Sequence, residues 1–121
     1  MFATGFSATK YLSALDVTGR DGIHIDESWD DGASAFLGIT TAGFPNLFML
    51  YGPNTNNGSI LEMIEYQTAH VLLHVKRLAE ENLAWVDVKP EAQAAYNERV
   101  QEAIAGVSVW NHDVNLSLIH I

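Results

Sequence analysis

The chain has 121 residues, of which 48% are hydrophobic, so it is long enough to bury one core. Its net charge of −9, with only 6 Lys and Arg residues, argues against binding to nucleic acid or to anionic membrane surfaces. The absence of cysteine excludes disulfides and thiolate metal sites, and no apolar run approaches the roughly 18 residues of a membrane span.

The first residues lack the basic segment and following apolar segment that are typical of a secretory signal. We therefore expect a cytoplasmic protein, and the lack of cysteine favours the same reducing compartment.

Residues 17–53 show short apolar runs separated by Asp, Gly and Ser, without a long periodic element. Gly19 and Gly22 have the wrong spacing for a phosphate-binding loop, so we predict a turn there. The apolar run 47–51 is too short for a helix and predicts a buried strand, which Gly52 and Pro53 end.

A long helix is predicted from about Ser59 to Glu81. Ser59 and Glu62 have the spacing of a capping box, with Ser59 at the N-cap. The apolar residues recur at helical spacing, which predicts one buried face. These residues are Ile60, Leu61, Ile64, Val71, Leu72, Val75, Leu78 and Ala79. The opposite, solvated side is predicted to carry Glu62, Tyr66, His70, His74, Arg77 and Glu81.

Two further elements follow the long helix. Residues 85–89 alternate between apolar and polar types, which predicts a short strand. Pro90 is suited to the first turn of a second helix, which should end near Gly106.

His70 and His74 have the i, i+4 spacing at which two imidazoles on one helix face can chelate a divalent metal ion. The glutamate of an H-E-x-x-H site is absent between them, and polar residues lie on the same predicted side. We therefore predict a solvated surface and no metal site.

Five short motifs occur in one order along the chain. They are Ala3-Thr4-Gly5-Phe6, Trp29 followed by Phe36-Leu37-Gly38, the run from Gly43 to Phe48, Gly52-Pro53-Asn54, and Ile64-Glu65 with Gln67. Together they resemble the C-terminal part of flavin-dependent monooxygenases. The resemblance is strongest to the Baeyer-Villiger monooxygenases and weaker to the wider group of flavin-containing monooxygenases.

The resemblance implies an α/β fold, namely the C-terminal part of a flavoprotein with two dinucleotide-binding domains. The chain would hold an incomplete FAD-binding Rossmann-like domain plus helices, in residues 1–110. Residues 111–121 depart from the family, and we expect this tail to be a reading-frame or assembly artefact. The implied cofactors are FAD and NADPH.

The resemblance also implies which residues line the FAD. They are Thr4, Gly5, Phe6, Gly52, Pro53, Asn54, Ser59, Ile60 and Leu61. The backbone N–H groups of Ile60 and Leu61 would face N1 and O2 of the flavin. A helix N-terminus carries about half a positive charge, which would stabilise the negative charge of reduced flavin.

Other parts of the family pattern are missing. The sequence has no G-x-G-x-x-G loop, and the family's catalytic arginine lies upstream of the matched region. It cannot be placed on Arg20, Arg77 or Arg99, because none of them lies in a matching motif. We therefore expect a fragment without catalytic residues, inactive alone, whose partner is the missing N-terminal part of the same enzyme.

The implied substrates are O₂ and a small organic ketone, amine or sulfide. A different class of function remains open, that of a stand-alone acidic binding module with the long helix as its interaction surface.

Overall fold

The computed structural model describes residues 11–12, 14–55 and 58–106. It contains a 3₁₀ turn at Arg20–Gly22 and three helices, α1 at Ile25–Ser28, α2 at Ile60–Glu80 and α3 at Pro90–Ala105. These residues form no strand, and only two isolated antiparallel bridges occur among them, Thr18 with His24 and Phe36 with Thr40. Thr4, Gly5, Phe6 and the tail 111–121 lie outside the described residues.

Both long helices and their ends confirm the predictions. The hydroxyl of Ser59 accepts a hydrogen bond from the N–H of Glu62 at 3.4 Å, which caps α2, and Glu81 follows its last turn. Pro90 occupies the first turn of α3, where its missing N–H costs no helical hydrogen bond. Gly106 follows the last turn of α3. Within the described residues, no helix is long and apolar enough to cross a membrane.

The two predicted strands, 47–51 and 85–89, are wrong. The first segment pairs with no strand in the described structure: the N–H of Met49 donates to the carbonyl of Ile39, and that of Tyr51 donates to Oε1 of Gln67 on α2, both at 2.7 Å. Asn46 and Tyr51, at either end of the first segment, have positive φ angles of 62° and 58°, which break an extended ladder. The second segment meets an asparagine side chain, since the N–H of Val86 donates to Oδ1 of Asn46 at 3.0 Å.

The buried hydrophobic core is formed by residues 17–53, the segment without a long periodic element, and not by α2. Ile25, Trp29, Ala35, Phe44 and Met49 form one buried cluster, and Ile25 is fully buried. The turn predicted at residues 19–22 is confirmed as the 3₁₀ turn. A segment without helical or strand periodicity therefore supplies most of the buried apolar side chains among the described residues.

Each long helix is held against this segment by a glutamine side chain of its own. Oε1 of Gln93 on α3 accepts the N–H of Ala42 at 2.7 Å. Gln67, the buried residue of α2, accepts the N–H of Tyr51 at 2.7 Å and donates to the carbonyl of Leu37 at 3.0 Å. A buried amide that satisfies two backbone groups holds a helix at one rotation about its axis.

The predicted division of α2 into a buried apolar side and a solvated polar side is partly wrong. Leu61 is 76% exposed and Leu72 is 59% exposed, although both were predicted to be buried. His70 and His74, predicted to be solvated, are half-buried. Residues three and seven positions after Gln67 share its face, so its hydrogen bonds turn both histidines inward.

The two imidazoles lie against each other. Their Nε2 atoms are 3.2 Å apart, and the ring of Phe48 stacks on that of His74 with a centroid distance of 6.3 Å. Burial, then the neighbouring His70 and Arg77, lower the pKa of His74. The imidazole of His74 is therefore neutral at pH 7.

Candidate cofactor-binding surface at the start of helix α2

A tight turn precedes α2 and contains three of the predicted FAD-binding residues, Gly52, Pro53 and Asn54. Pro53 is fully buried, whereas Asn54 is exposed and has a φ of 63°. Asparagine tolerates this left-handed conformation better than most residues. In this turn, the polar side chain of Asn54 is therefore exposed to solvent next to the buried Pro53.

Two glycines allow the backbone of this turn to approach the rest of the protein closely. The N–H of Gly52 donates to the carbonyl oxygen of Gly38 at 3.1 Å, and a Cβ atom on Gly52 would clash with that oxygen. A Cβ atom on Gly38 would clash with Cγ2 of Thr55. The hydroxyl of Thr55 donates to the carbonyl of Gly52 at 2.6 Å. Both motif glycines are therefore required by packing.

The N-terminus of α2 opens to solvent. Ser59, Ile60 and Leu61 are exposed, and no described residue supplies an acceptor for the N–H groups of Ile60 and Leu61. The first N–H groups of a helix lack intrahelical partners and carry the positive end of its dipole. This end of α2 can bind a carbonyl-rich or anionic group.

The structure describes six of the nine predicted site residues. Gly52–Asn54 and Ser59–Leu61 lie on either side of residues 56–57, which are outside the description, as are Thr4, Gly5 and Phe6. Gln67 was noted only as part of a motif, and its role in holding α2 against this turn was missed. A glutamine on the inward face of an amphipathic helix was the available signal.

Each arginine in the described part of the chain contacts another group of that part. The guanidinium of Arg20 lies 4.1 Å from the ring centroid of Trp85. Nε of Arg77 is 2.9 Å from Oε1 of Glu81, an exposed pair that contributes little to stability. Nε of Arg99 donates to a carbonyl one turn earlier in α3 at 3.3 Å. That none of the three is the family's catalytic arginine stays a prediction.

Comparisons with known proteins confirm the resemblance. A Baeyer-Villiger monooxygenase of Pseudomonas aeruginosa is 44% identical over 113 residues, which cover 92% of this chain and 21% of that protein. A crystal structure of cyclohexanone monooxygenase with bound cyclohexanone has a TM-score of 0.78 and 32% identity, over 93% of this chain and 22% of that one. The protein OTEMO, in complex with FAD and NADP, has a TM-score of 0.74 and 28% identity, over 85% of this chain and 19% of that one. No protein-family model matches.

The chain spans about a fifth of the length of the proteins it matches. Its fold matches a part of the flavin monooxygenase fold. The Rossmann-like sheet stays a prediction, because the described residues contain no strand.

Proposed function

We propose that this chain forms part of the FAD-binding wall of a flavoprotein monooxygenase that uses NADPH and O₂. The parent enzyme would insert oxygen into a small ketone or oxidise a nitrogen or sulfur atom of an organic substrate. The chain would supply no catalytic residue and would be inactive without the rest of the enzyme.

One observation carries this proposal, the open N-terminus of α2 that follows the close-packed Gly52 turn. Two backbone N–H groups are free of acceptors among the described residues there, as a flavin pyrimidine edge with its carbonyl oxygens requires. The likeness to a Baeyer-Villiger monooxygenase and to a protein crystallised with FAD and NADP supports the same ligand.

The residues of the chain would act by position and charge. Ser59 caps α2 and fixes where its N-terminus lies. Ile60 and Leu61 would donate their N–H groups to the cofactor, and the helix dipole would favour negative charge at that edge. FAD, once reduced by NADPH, supplies the oxygen chemistry.

A chimaera tests the proposal. The matched segment of the Pseudomonas aeruginosa monooxygenase would be replaced by residues 1–110 of this chain, and flavin absorbance and substrate-dependent NADPH consumption would be measured. We expect a yellow protein that consumes NADPH, because the helix N-terminus is retained. A chimaera that is folded by circular dichroism but free of flavin contradicts the proposal.

An exposed apolar stripe on α2 bears on the alternative function, a stand-alone binding module. Leu61, Leu72 and Val75 lie on one side of the helix and are exposed. We assign this stripe to contact with the rest of the parent enzyme, since the chain spans only a fifth of its relatives. A soluble monomer that unfolds cooperatively without flavin would favour the alternative, and aggregation of the isolated chain would favour a fragment.

A further inference from the structure

A cleft of about 220 Å³ lies beside the middle of α2, away from its N-terminus. Phe48 and Val86 line its apolar part, and His70, His74 and Asp87 are its titratable groups. The proposed function uses none of these three side chains. Two polar atoms in this wall, Nδ1 of His74 and Oδ1 of Asp87, are buried and have no hydrogen-bond partner in the described part of the chain.

The spacing of the two imidazoles is that of a chelating pair. Two nitrogens that each lie about 2.0–2.1 Å from one tetrahedral Zn²⁺ ion are about 3.3–3.4 Å apart. The Nε2 atoms of His70 and His74 are 3.2 Å apart. A metal ion can therefore take the place of the proton in this hydrogen bond with little change in the distance between the two nitrogens.

The surroundings of the two imidazoles favour the binding of a cation. The carboxylate of Asp87 lies in the same cleft, and only its Oδ2 is occupied, by the N–H of Gly43 at 3.2 Å. Oδ1 remains without a partner. An unpaired carboxylate oxygen in an apolar wall attracts a cation into the cleft.

We propose that His70 and His74 form a two-histidine site for a divalent transition metal ion such as Zn²⁺, Ni²⁺ or Cu²⁺, for which imidazole is a suitable ligand. No group of three or more His, Asp or Glu side chains in metal-binding geometry occurs among the described residues. Water fills the remaining coordination positions, and binding is weaker than at sites with three or four protein ligands.

Zn²⁺ titration of the 121-residue chain by calorimetry tests the site. We expect His70→Gln and His74→Gln each to raise the Kd by about tenfold or more, because each leaves a single imidazole. His24→Gln is the matched control, since it also removes one of the 5 histidines, but His24 precedes α1 beside Asp16 and does not line the cleft. Its Kd for Zn²⁺ should equal that of the wild type.

The double variant His74→Gln/Val75→His keeps the number of histidines but moves one to i+5, where it cannot chelate with His70. We expect it to bind Zn²⁺ as weakly as His74→Gln. Circular dichroism of each variant checks that α2 is intact. With Cu²⁺, electron paramagnetic resonance should detect two nitrogen ligands in the wild type and one in His70→Gln.

Equal Zn²⁺ affinity in the wild type, His70→Gln and His74→Gln would overturn the proposal, as would the absence of Zn²⁺ binding to the folded wild type. The same substitutions in the chimaera give an independent readout. There, Zn²⁺ should raise the unfolding temperature more with His70 and His74 present than in either single variant. Flavin content is measured separately, so that a change in unfolding temperature caused by loss of FAD is not mistaken for loss of metal binding.

Discussion

Gln67 on α2 accepts a hydrogen bond from the backbone N–H of Tyr51 at 2.7 Å, and this contact joins the long helix to the residue just before the Gly52 turn. Its amide nitrogen donates to the carbonyl of Leu37 at 3.0 Å. One side chain thus fixes α2 against two loops that lie 16 and 30 residues away in sequence. The rotation of α2, and with it the direction of its side chains, depends on this amide.

Replacing Gln67 by Ala should lower the free energy of unfolding by about 2 kcal/mol, because the N–H of Tyr51 and the carbonyl of Leu37 lose their partner. The measurement is urea denaturation of the chimaera. The control is Tyr66→Ala, since Tyr66 is the preceding residue of the helix and is 70% exposed. A loss no larger than that of Tyr66→Ala would show that the amide does not hold the helix.

Gly38→Ala should destabilise the protein more than Gly22→Ala. Both glycines have similar positive φ angles, 68° and 77°, so both variants lose about 1 kcal/mol from backbone strain. Only at Gly38 does the new Cβ clash, with Cγ2 of Thr55, and overpacking adds about 1–3 kcal/mol. Thermal unfolding of both variants measures the difference. Equal losses would mean that close packing at Gly38 is unimportant.

Asn46→Ala should cost more than Asn46→Gly. The side chain of Asn46 accepts the N–H of Val86 at 3.0 Å and donates to the carbonyl of Ala84 at 3.2 Å, and both variants lose these bonds. Only alanine adds strain at the φ of 62°, by about 1 kcal/mol. Urea denaturation distinguishes the two. If glycine were the worse substitution, backbone strain would not govern this position.

Ser59→Asp and Ser59→Asn test the charge at the α2 N-terminus in the chimaera. Both residues cap helices well, so the helix should be retained in both. The carboxylate of Asp repels the negative charge of reduced flavin. The reduction potential of the flavin should therefore be about 10–20 mV lower in Ser59→Asp than in Ser59→Asn. A spectroelectrochemical titration measures this difference. Identical potentials would argue that the flavin does not lie at this helix N-terminus.

The two long helices could be predicted from the sequence because their signals are local. Ser59 and Glu62 indicate the start of α2, and Pro90 and Gly106 mark the ends of α3. The motif order also predicted the resemblance to monooxygenases, since a motif depends only on residue type and spacing. The turn at residues 19–22 followed from the same kind of local signal.

The predicted strands failed for a reason that lies outside any local window. An apolar run becomes a strand only when a neighbouring strand pairs with it. In the described structure, the N–H groups of residues 47–51 donate to loops and to the side chain of Gln67, not to a strand. Hydrophobicity indicated burial but could not supply the partner.

The tertiary structure alone decided which way α2 faces. By apolar periodicity, Leu61 and Leu72 should have turned inward, but both are exposed. The two hydrogen bonds of Gln67 turn the face with His70 and His74 toward the cleft instead. Contacts between residues far apart in sequence set that rotation, so helical spacing could place the two histidines together but not assign them to the cleft.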